Sequence, residues 1–307
     1  MKAIVITEDT DWKTVKLQDT TIPDAKTNEV LVRVKASGVN PVDWKIPEYK
    51  LFERTKIKLP YIVGTDISGV IEQLGYDVKR FKAGDEIFGA LELGTPGAFA
   101  EYVAIDQNLI ALKPKNLSFI EAAAVPLASL TAWQALFDKL YLQANEKVLI
   151  QAAAGGVGIF AVQLAKQRKA YVVAVSSEKN RDFLKSLGAD EIFDYKDDYA
   201  LLPANFDAIL DSMATSRQTI PLLKKGGRYV SLTAPAADEL AKEFDVSATS
   251  FLYTPNAAQL EKIKELIETN RLKIFIDKIF PLSQASEALK YQQSSHSRGK
   301  NVLEIGS

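Results

Sequence analysis

The stretch between residues 146 and 232 restricts the fold most strongly, because short apolar strands alternate there with helical segments. The pattern predicts strands at 148–150, 171–175, 191–193, 208–210 and 228–232, and helices at 156–168 and 178–187. Gly188 directly follows the second helix and fits the position of a C-terminal cap. Such alternation is typical of a doubly wound parallel sheet, so we predict a Rossmann domain here.

A glycine-rich turn joins the first of these strands to the first helix. It contains Gly155, Gly156, Val157 and Gly158. Glycine at 155 would let a pyrophosphate approach the backbone, and glycine at 158 would let helix and strand pack closely. The helix N-terminus adds free N–H groups and partial positive charge. The turn therefore favours dinucleotide binding, although Ala153 holds the place of the first glycine of G-x-G-x-x-G and a purely structural turn is the alternative.

The tip of the second predicted strand bears on which dinucleotide binds. It carries Ser176 and Ser177, whereas an NAD site usually has an acid there for the ribose 2′-hydroxyl. Lys179 and Arg181 follow closely and suit a 2′-phosphate. Glu178 is the one acid nearby, and it also fits the start of a helix. We predict NADPH rather than NADH.

The residue counts exclude several kinds of chemistry. The 307-residue chain, long enough for two domains, has no cysteine and one histidine, His296. Disulfides, thiol nucleophiles, cysteine-ligated iron–sulfur clusters and histidine-rich zinc sites are therefore excluded. A Ser-His-Asp triad would have to use His296, which we interpret as a solvated residue in the polar run 292–297.

The charge of the chain is balanced. Lys and Arg number 38 and Asp and Glu 39, for a formal net charge of −1. A chain without a basic surplus is not expected to bind nucleic acid or an anionic membrane. No apolar run approaches the ~18–20 residues that span a bilayer, and acids occur too early in the chain for a signal peptide. We predict a cytoplasmic protein.

The first ~115 residues have a different pattern, in which short β-rich runs are separated by glycines. Strands are predicted at 3–7, 30–37, 69–74, 86–90 and 99–105. No helical crossovers are evident, so an antiparallel barrel is the natural interpretation. Ser118 and Glu121 then form a capping box for a helix that runs through Ala124 and is limited by Pro126.

The last part of the chain begins with another helix. Thr254 is predicted as its N-cap and Pro255 as its first residue. Its apolar face is formed by Leu260, Ile263, Leu266 and Ile267. The segment 273–307 returns to a strand–helix–strand pattern, which is either a last layer of the Rossmann sheet or a return to the first domain.

Seven motifs, spread in order over nearly the whole chain, resemble one family. They lie at 36–43, 64–71, 84–85, 97–102, 123–133, 152–158 and 298–303. Together they resemble the zinc-independent quinone oxidoreductase branch of the medium-chain dehydrogenase/reductase superfamily. The resemblance implies an α/β protein with a GroES-like β-barrel domain at 1–125, completed by 272–307. It also implies a Rossmann NADP(H)-binding domain at 126–271 and a cofactor cleft between the two.

The resemblance also bears on metal. Zinc-dependent relatives place metal ligands at positions that match Asn40, Thr65 and Leu127. An amide, a hydroxyl and a leucine cannot replace a Cys/His set. Only seven residues separate Gly89 from Gly97, and none is a cysteine, so the structural-zinc lobe is missing too. We expect no metal.

Residue by residue, the resemblance implies the following roles. Cofactor contacts are expected from Asn40, Thr131, Gly155, Gly156, Val157, Gly158, Ser176, Ser177, Lys179, Arg181, Tyr195, Leu232, Thr233, Phe251 and Lys300. The substrate side would include Asp43, Trp44 and Tyr49. Three alternatives stay open: Asn40 could serve a turn, Asp43 could pair with a cation, and the two aromatic residues could be surface residues of the barrel.

The chemistry expected from the resemblance is hydride transfer from NADPH to a small electron acceptor, with Asn40, Thr65 and Tyr49 as the catalytic candidates. A quinone suits a site without zinc, because it needs no Lewis acid. The first alternative is a reductase of α,β-unsaturated aldehydes, ketones or enoyl thioesters, and the second is a non-enzymatic NADPH-binding protein. Relatives associate through the edge of the Rossmann sheet, and the β-rich segment 244–251 suits such pairing, so we expect a homodimer.

Overall fold

The computed structural model describes residues 1–7, 11–53, 55, 57–294 and 297–306, and the chain divides into two compact units. The β unit comprises Met1–Leu127 and Thr254–Ser307, and the α/β unit comprises Ala128–Tyr253. His296 lies outside the described residues, so its interpretation as a solvated residue stays a prediction.

The first part of the β unit consists mainly of short strands, as the glycine-separated β-rich runs predict. Its elements are β1 (Lys2–Ile6), β2 (Leu17–Asp19), β3 (Glu29–Val39), α1 (Pro41–Glu48), β4 (Tyr61–Ile62), β5 (Asp66–Leu74), β6 (Glu86–Ala90), β7 (Tyr102–Asp106), β8 (Ile110–Leu112) and α2 (Phe119–Ala123). Helix α3 (Pro126–Trp133) follows, so Pro126 begins a new helix as well as limiting the preceding one. The Ser118–Glu121 capping box is confirmed: Ser118 Oγ accepts from the Glu121 amide at 3.2 Å.

The α/β unit alternates strands and helices. Its elements are β9 (Lys147–Ile150), α4 (Gly156–Gln167), β10 (Tyr171–Ser176), α5 (Arg181–Ser186), β11 (Glu191–Asp194), β12 (Phe206–Asp211), α6 (Ser216–Thr219), β13 (Leu223–Ser231), α7 (Asp238–Glu243) and β14 (Ser247–Ser250). The chain then returns to the β unit with α8 (Ala257–Glu268), β15 (Ile276–Pro281), α9 (Ala285–Ser294) and β16 (Lys300–Glu304).

The sheet of the α/β unit is parallel throughout, with strand order β11-β10-β9-β12-β13-β14. This is the order of the doubly wound dinucleotide-binding fold, and it confirms the predicted Rossmann domain. Leu149, Val173 and Ile209, one from each of three adjacent strands, are buried in a single apolar cluster. The predicted helix 178–187 divides into a 3₁₀ turn and α5, and Gly188 caps α5 with a φ of +98°.

The β unit is built around a seven-stranded sheet. Its strands run in the order β15-β16-β3-β5-β6-β8, with β7 also paired to β3, and every pair except β15–β16 is antiparallel. β16 lies antiparallel to β3, with Val302 opposite Gly38. The last segment of the chain therefore rejoins the first domain, as the family resemblance implies. Ile4, Val32 and Leu303 share its core.

Three sequence expectations differ from the structure. The helix of the last part begins at Ala257, not at Pro255, because Asn256 is extended and its side chain accepts from the Gln259 amide at 3.0 Å. The Thr254 cap is therefore wrong. Only Ser247–Ser250 of the β-rich segment 244–251 is a strand, because Phe244 still caps the end of α7.

The domain boundaries also differ. The compact units divide after Leu127 and after Tyr253, whereas the sequence predicts a Rossmann domain at 126–271. Helix α8 belongs to the β unit because its last turn is bonded there: Glu268 accepts from the Lys115 amide at 3.0 Å, and Asn116 donates to the Ile267 carbonyl at 3.1 Å. No helix in the described part of the chain is long and apolar enough to cross a membrane.

Candidate functional site

Four polar side chains meet in the interior of the β unit, and we call them the buried polar cluster: Asn40, Thr65, Asp66 and Lys300. Asn40 lies between β3 and α1, Thr65 directly precedes β5, Asp66 begins β5 and Lys300 begins β16. None of the four is more than 3% exposed. Residues distant in sequence come together because β16 and β5 both pair with β3.

Asp66 is the acceptor of the cluster. Its Oδ2 accepts from Asn40 Nδ2 at 2.9 Å and from Lys300 Nζ at 3.2 Å, and its Oδ1 accepts from the Leu127 amide at 2.6 Å. A Cβ at Gly38 would lie 2.5 Å from Oδ2, so only glycine lets the carboxylate sit against β3. A buried carboxylate requires such partners, because an unpaired charge in the interior is strongly destabilising.

The Asn40 carboxamide is bonded on both sides. Its Oδ1 accepts from Lys300 Nζ, and its Nδ2 donates to Asp66 and, at 3.2 Å, to Thr65 Oγ1. Asn40 is therefore more than a turn former, although it also serves as the N-cap residue of α1.

Asp43 lies in the first turn of α1 and is 4% exposed. Its Oδ2 accepts from the Asn40 amide at 2.7 Å, which closes the start of the helix. No described cation forms an ion pair with Asp43, although the charge of Lys300 acts to lower its pKa. Burial, with a smaller contribution from the charge of Asp66, raises the pKa of Asp43 to about 8.

The substrate-side aromatic residues form a short row. The rings of Trp12 and Trp44 are 6.0 Å apart, and those of Trp44 and Tyr49 are 6.2 Å apart. Tyr49 follows α1 as its C-cap and is 60% exposed, while Trp44 packs against the core of the β unit. The buried indole N–H of Trp44 has no hydrogen-bond partner among the described residues. Tyr49 therefore lies on the surface and Trp44 is partly buried, and a substrate contact of either residue stays a prediction.

A zinc ion does not fit this cluster. The amide of Asn40 and the hydroxyl of Thr65 bond to one another, and Leu127 offers only an aliphatic side chain. The ammonium of Lys300 sits beside them and would repel a divalent cation. Among the described residues, no three His, Cys, Asp or Glu side chains are grouped as metal ligands would be.

The glycine turn of the α/β unit shows how a phosphate could be held. Ala152, rather than Ala153, takes the left-handed conformation that makes the turn tight, with φ +47°. A Cβ at Gly158 would lie 2.4 Å from the Ala152 carbonyl oxygen, so this glycine is required for the close packing of strand and helix. The first N–H that closes onto helix α4 belongs to Ile159, which bonds to the Gly155 carbonyl at 3.0 Å.

Three N–H groups at this helix end, those of Gly156, Val157 and Gly158, therefore have no acceptor within α4. They point from a helix N-terminus, where the macrodipole favours an anion. The residues present fit the pyrophosphate of a dinucleotide.

The tip of β10 carries the predicted 2′-phosphate residues. Asn180 donates to Ser176 Oγ at 3.0 Å and to Ser177 Oγ at 3.2 Å, so the two hydroxyl groups are held side by side. Glu178 is bound by Arg181 through two hydrogen bonds, at 2.5 and 2.6 Å. This pairing lowers the pKa of Glu178 and compensates the one acid that sequence analysis placed near the site.

Sequence analysis missed a second acid at this tip. Asp194 ends β11, and its carboxylate accepts from the Glu178 amide at 2.9 Å and from the Lys196 amide at 3.0 Å. These backbone donors lower the pKa of Asp194. Tyr195 follows directly, bonds through its amide to the Ser176 carbonyl and leaves its ring 42% exposed. The signal available in the sequence was the position of Asp194 at the end of a parallel strand.

A further buried acid, Asp211, organises the ends of β12 and β13. Its carboxylate accepts from the Met213 and Thr215 amides, each at 2.6 Å, and from the Tyr229 hydroxyl at 2.5 Å. Its carbonyl accepts from the Leu232 amide at 2.8 Å. Leu232 and Thr233, predicted as cofactor contacts, therefore follow a strand end that Asp211 fixes.

The other predicted cofactor residues are more scattered. Thr131 is 8% exposed in α3, and Phe251 follows β14 with the ammonium of Lys139 5.7 Å from its ring centroid. Lys179 is exposed in the 3₁₀ turn beside Ser177. Lys300 lies with Asn40 in the buried polar cluster.

Comparison with known proteins agrees with this architecture. The family described as Alcohol dehydrogenase GroES-like domain matches residues 26–115, and the family described as Zinc-binding dehydrogenase matches residues 187–303. Among solved structures, the quinone oxidoreductase from Coxiella burnetii is similar with a TM-score of 0.92 and 35% identity, over 100% of this chain and 99% of that one.

Curated relatives cover nearly the whole chain. A 2-methylene-furan-3-one reductase of Solanum lycopersicum is 36% identical over 99% of this chain and 79% of its own length. A chloroplastic quinone-oxidoreductase homolog of Spinacia oleracea is 35% identical over 94% of each chain. A chloroplastic NADPH-dependent alkenal/one oxidoreductase of Arabidopsis thaliana is 34% identical over 99% of this chain and 79% of its own length.

The chain belongs to the quinone oxidoreductase branch of the medium-chain dehydrogenase/reductase superfamily. It is therefore an oxidoreductase that uses a nicotinamide cofactor.

Proposed function

We propose that this protein is an NADPH-dependent, zinc-independent reductase that transfers hydride to a quinone. The observation that carries the proposal is the turn between β9 and α4, where three N–H groups at a helix N-terminus fit a pyrophosphate. The quinone oxidoreductase from Coxiella burnetii, similar over the whole chain, supports the acceptor class.

Bound NADPH would supply a hydride ion, and the quinone needs one hydride and one proton to become the hydroquinone. This chain would bind and orient the cofactor and the quinone and would exclude water from them. Gly156, Val157 and Gly158 would hold the pyrophosphate through their N–H groups, and Asn40 and Thr65 supply fixed polar groups inside the β unit. A hydroquinone oxygen can take its proton from solvent, so no dedicated acid is needed.

The proposed zinc independence is supported by the side chains at the three ligand positions. Asn40, Thr65 and Leu127 offer no Cys/His set, and the ammonium of Lys300 adds a like charge. Purified active protein is expected to contain no stoichiometric zinc and to keep its turnover in chelator. One zinc per chain, with activity lost on its removal, would contradict this part of the proposal.

The preference for NADPH rests on the tip of β10. Two hydroxyl groups, Ser176 and Ser177, lie beside the exposed Lys179, and Glu178 is compensated by Arg181. A 2′-phosphate would find donors and a cation there, whereas the ribose hydroxyl of NADH would find no unpaired acid on this strand. Dissociation constants for the two cofactors test the preference, and equal values would refute it.

The second candidate is a reductase of α,β-unsaturated aldehydes or ketones, favoured by the relatives from Solanum lycopersicum and Arabidopsis thaliana. In that reaction hydride adds to the β-carbon, and a proton must then reach the α-carbon or the enolate. A placed donor accelerates such a step ~10²–10⁴-fold. Thr65 and Tyr49 carry the available hydroxyl groups.

A panel of acceptors separates the two candidates. NADPH oxidation is followed with ortho- and para-quinones, 2-alkenals and an enoyl thioester at equal concentrations. The quinone assignment predicts the highest kcat/KM with a quinone. Turnover of 2-alkenals without turnover of quinones would establish the second candidate instead.

The assembly we propose is a homodimer formed through the edge strand β14. Among the described strands, β14 pairs only with β13, so its other edge is open for a two-fold related copy. Light scattering at micromolar concentration should give twice the mass of 33.8 kDa, and a monomer there would refute the dimer.

For its location we propose the cytoplasm, as the sequence analysis predicts. Fractionation of the source cells tests it.

A further inference from the structure

Lys300 is placed where a cofactor ligand would not be expected. It begins β16, lies 260 residues after Asn40 and is 3% exposed. Its Nζ donates to Asn40 Oδ1, to the Val39 carbonyl at 3.3 Å and to Asp66 Oδ2 at 3.2 Å. An ammonium group has three N–H donors, and all three are used within the β unit. None is left for a phosphate or for an acceptor molecule.

The hydrogen bonds of Asn40 show what this ammonium does. The carboxamide oxygen faces a cation, Lys300, and the carboxamide nitrogen faces an anion, Asp66. Turning the carboxamide by 180° would place N–H groups against the ammonium and the oxygen against the carboxylate. Both contacts would then be repulsive, so the ion pair permits only one orientation of Asn40.

The orientation of Asn40 in turn determines that of Thr65. Because Asn40 Nδ2 donates to Thr65 Oγ1, the hydroxyl of Thr65 acts as the acceptor in this bond. Its own O–H must therefore point elsewhere, and no described residue accepts it. The direction of a hydroxyl proton is thus determined through Asn40 by a lysine from the end of the chain.

We propose that Lys300 is a positioning residue, which holds Asn40 in one orientation and thereby sets the donor direction of Thr65. The inference rests on the proposed function only in expecting this orientation to matter for hydride transfer. It replaces the direct cofactor contact that the family resemblance implies for Lys300. The two roles predict different effects of the same substitution.

The orientation of Asn40 can be measured without activity. In protein labelled with ¹⁵N on asparagine side chains, the Asn40 NH₂ signals are identified by their loss in Asn40→Ala. We expect their hydrogen exchange to be at least tenfold faster in Lys300→Met than in the wild type. Lys290→Met, which removes an exposed lysine of α9 in the same unit, is the matched control and should change nothing. Equal exchange in Lys300→Met and the wild type would overturn the proposal.

Kinetics and binding then distinguish positioning from cofactor contact. For Lys300→Met we expect kcat to fall at least tenfold while the dissociation constant of NADPH stays within threefold. Lys300→Arg, which keeps a cation at this place, should recover part of kcat. A tenfold weaker NADPH complex with unchanged kcat would identify Lys300 as a cofactor ligand and overturn the proposal.

A second variant guards against misfolding, because Lys300→Met leaves the carboxylate of Asp66 uncompensated. The double variant Lys300→Met/Asp66→Asn carries neither charge. The amide at position 66 would donate to Asn40, so the carboxamide of Asn40 should rotate by 180°. The protein should then fold, but its kcat should stay low. A folded double variant with wild-type kcat would overturn the proposal. If none of the acceptors in the panel supports NADPH oxidation by the wild type, the proposed function fails. The exchange experiment still decides the role of Lys300 in that case.

Discussion

The buried polar cluster of the β unit and the glycine turn of the α/β unit hold polar groups in opposite ways. The turn is one continuous segment, 152–158, and it presents backbone N–H groups at the start of α4. The cluster gathers side chains from three separate places along the chain, around residues 40, 65 and 300. One depends on local conformation and the other on strand register.

The difference has a physical consequence. The backbone N–H groups of the turn are correctly placed whenever the turn forms, and the turn requires only one glycine, Gly158, for its packing. Buried polar side chains keep their positions only while every hydrogen-bond partner is present, since each unpaired buried group carries a large desolvation cost. Substitutions in the cluster should therefore disturb several side chains at once and lower kcat, whereas substitutions around the glycine turn should act on local packing and on cofactor binding.

The largest effect is expected from Asn40→Ala, which removes the centre of the cluster. Lys300, Asp66 and Thr65 each lose a partner, so the fixed geometry that we propose for orienting the reactants is lost. We expect kcat to fall by ~10²-fold or more with quinones and with 2-alkenals alike. Steady-state assays check this, with Asn108→Ala, an exposed position in the same unit, as the control. Damage restricted to one acceptor class would contradict it.

Gly158→Ala tests the other region. Its new Cβ would lie 2.4 Å from the Ala152 carbonyl oxygen, whereas a Cβ at Gly155 would lie 3.2 Å from the same atom. Overpacking of this kind costs ~1–3 kcal/mol, so Gly158→Ala should lower Tm by several degrees and Gly155→Ala by less. Thermal unfolding without cofactor compares them. A larger loss at Gly155 would show that the turn is not held by this packing.

Lys179→Ala is expected to act on one cofactor only. Loss of a charge-assisted contact to a 2′-phosphate should weaken NADPH about tenfold, or ~1.4 kcal/mol, and leave NADH nearly unchanged. Fluorescence titration measures both, with the exposed Lys185→Ala of α5 as the control. Equal weakening of NADPH and NADH would remove Lys179 from the 2′-phosphate site.

Asp43→Asn should change the pH dependence of stability. Burial raises the pKa of Asp43 to about 8, while in the unfolded chain it is ~3.9. The folded state therefore binds this proton more tightly, so the free energy of unfolding falls as pH rises from ~4 to ~8 and then levels off. Denaturant unfolding at several pH values should show a smaller fall in Asp43→Asn. An identical pH profile would mean that the pKa of Asp43 is the same in the folded and the unfolded chain.

Tyr49→Phe is expected to have the smallest effect. The side chain is 60% exposed, and a quinone needs no placed donor, so turnover with quinones should change less than about threefold. The same assay with 2-alkenals sharpens the comparison. If the wild type reduces 2-alkenals but not quinones, and Tyr49→Phe abolishes that activity, the hydroxyl is the acid of the second candidate reaction.

Features that depend on local conformation could be predicted from the sequence, and features that depend on strand register could not. The turn at Gly155–Gly158, the capping box at Ser118 and the alternation of strands and helices in the α/β unit depend on neighbours in the chain, and the sequence predicts them well. The bonds of Lys300 depend on the register of β16 against β3, which the hydrophobic pattern does not specify.

Local competition explains the remaining misses. Asn256 caps α8 instead of Thr254, because two capping residues stand close together and the helix uses the second. Helix α1 was not predicted, since its residues have little apolar periodicity and Asn40-Pro41 is equally typical of a turn. Asp66 and Asp211 were missed because acids near strands are usually solvated, whereas these two are fully buried.

The pairing of β16 with β3 has a consequence for how the protein is made. The α/β unit, Ala128–Tyr253, is continuous and can fold as soon as it leaves the ribosome. The first part of the β unit is synthesised before the α/β unit, but its interior cannot close until Lys300 has been synthesised. Asp66 and Asn40 therefore lack their partner Lys300 while residues 67–299 are translated. During that interval the edge of β3 that β16 will cover stays open. Nascent chains halted before residue 300 should therefore be the ones that aggregate or recruit chaperones.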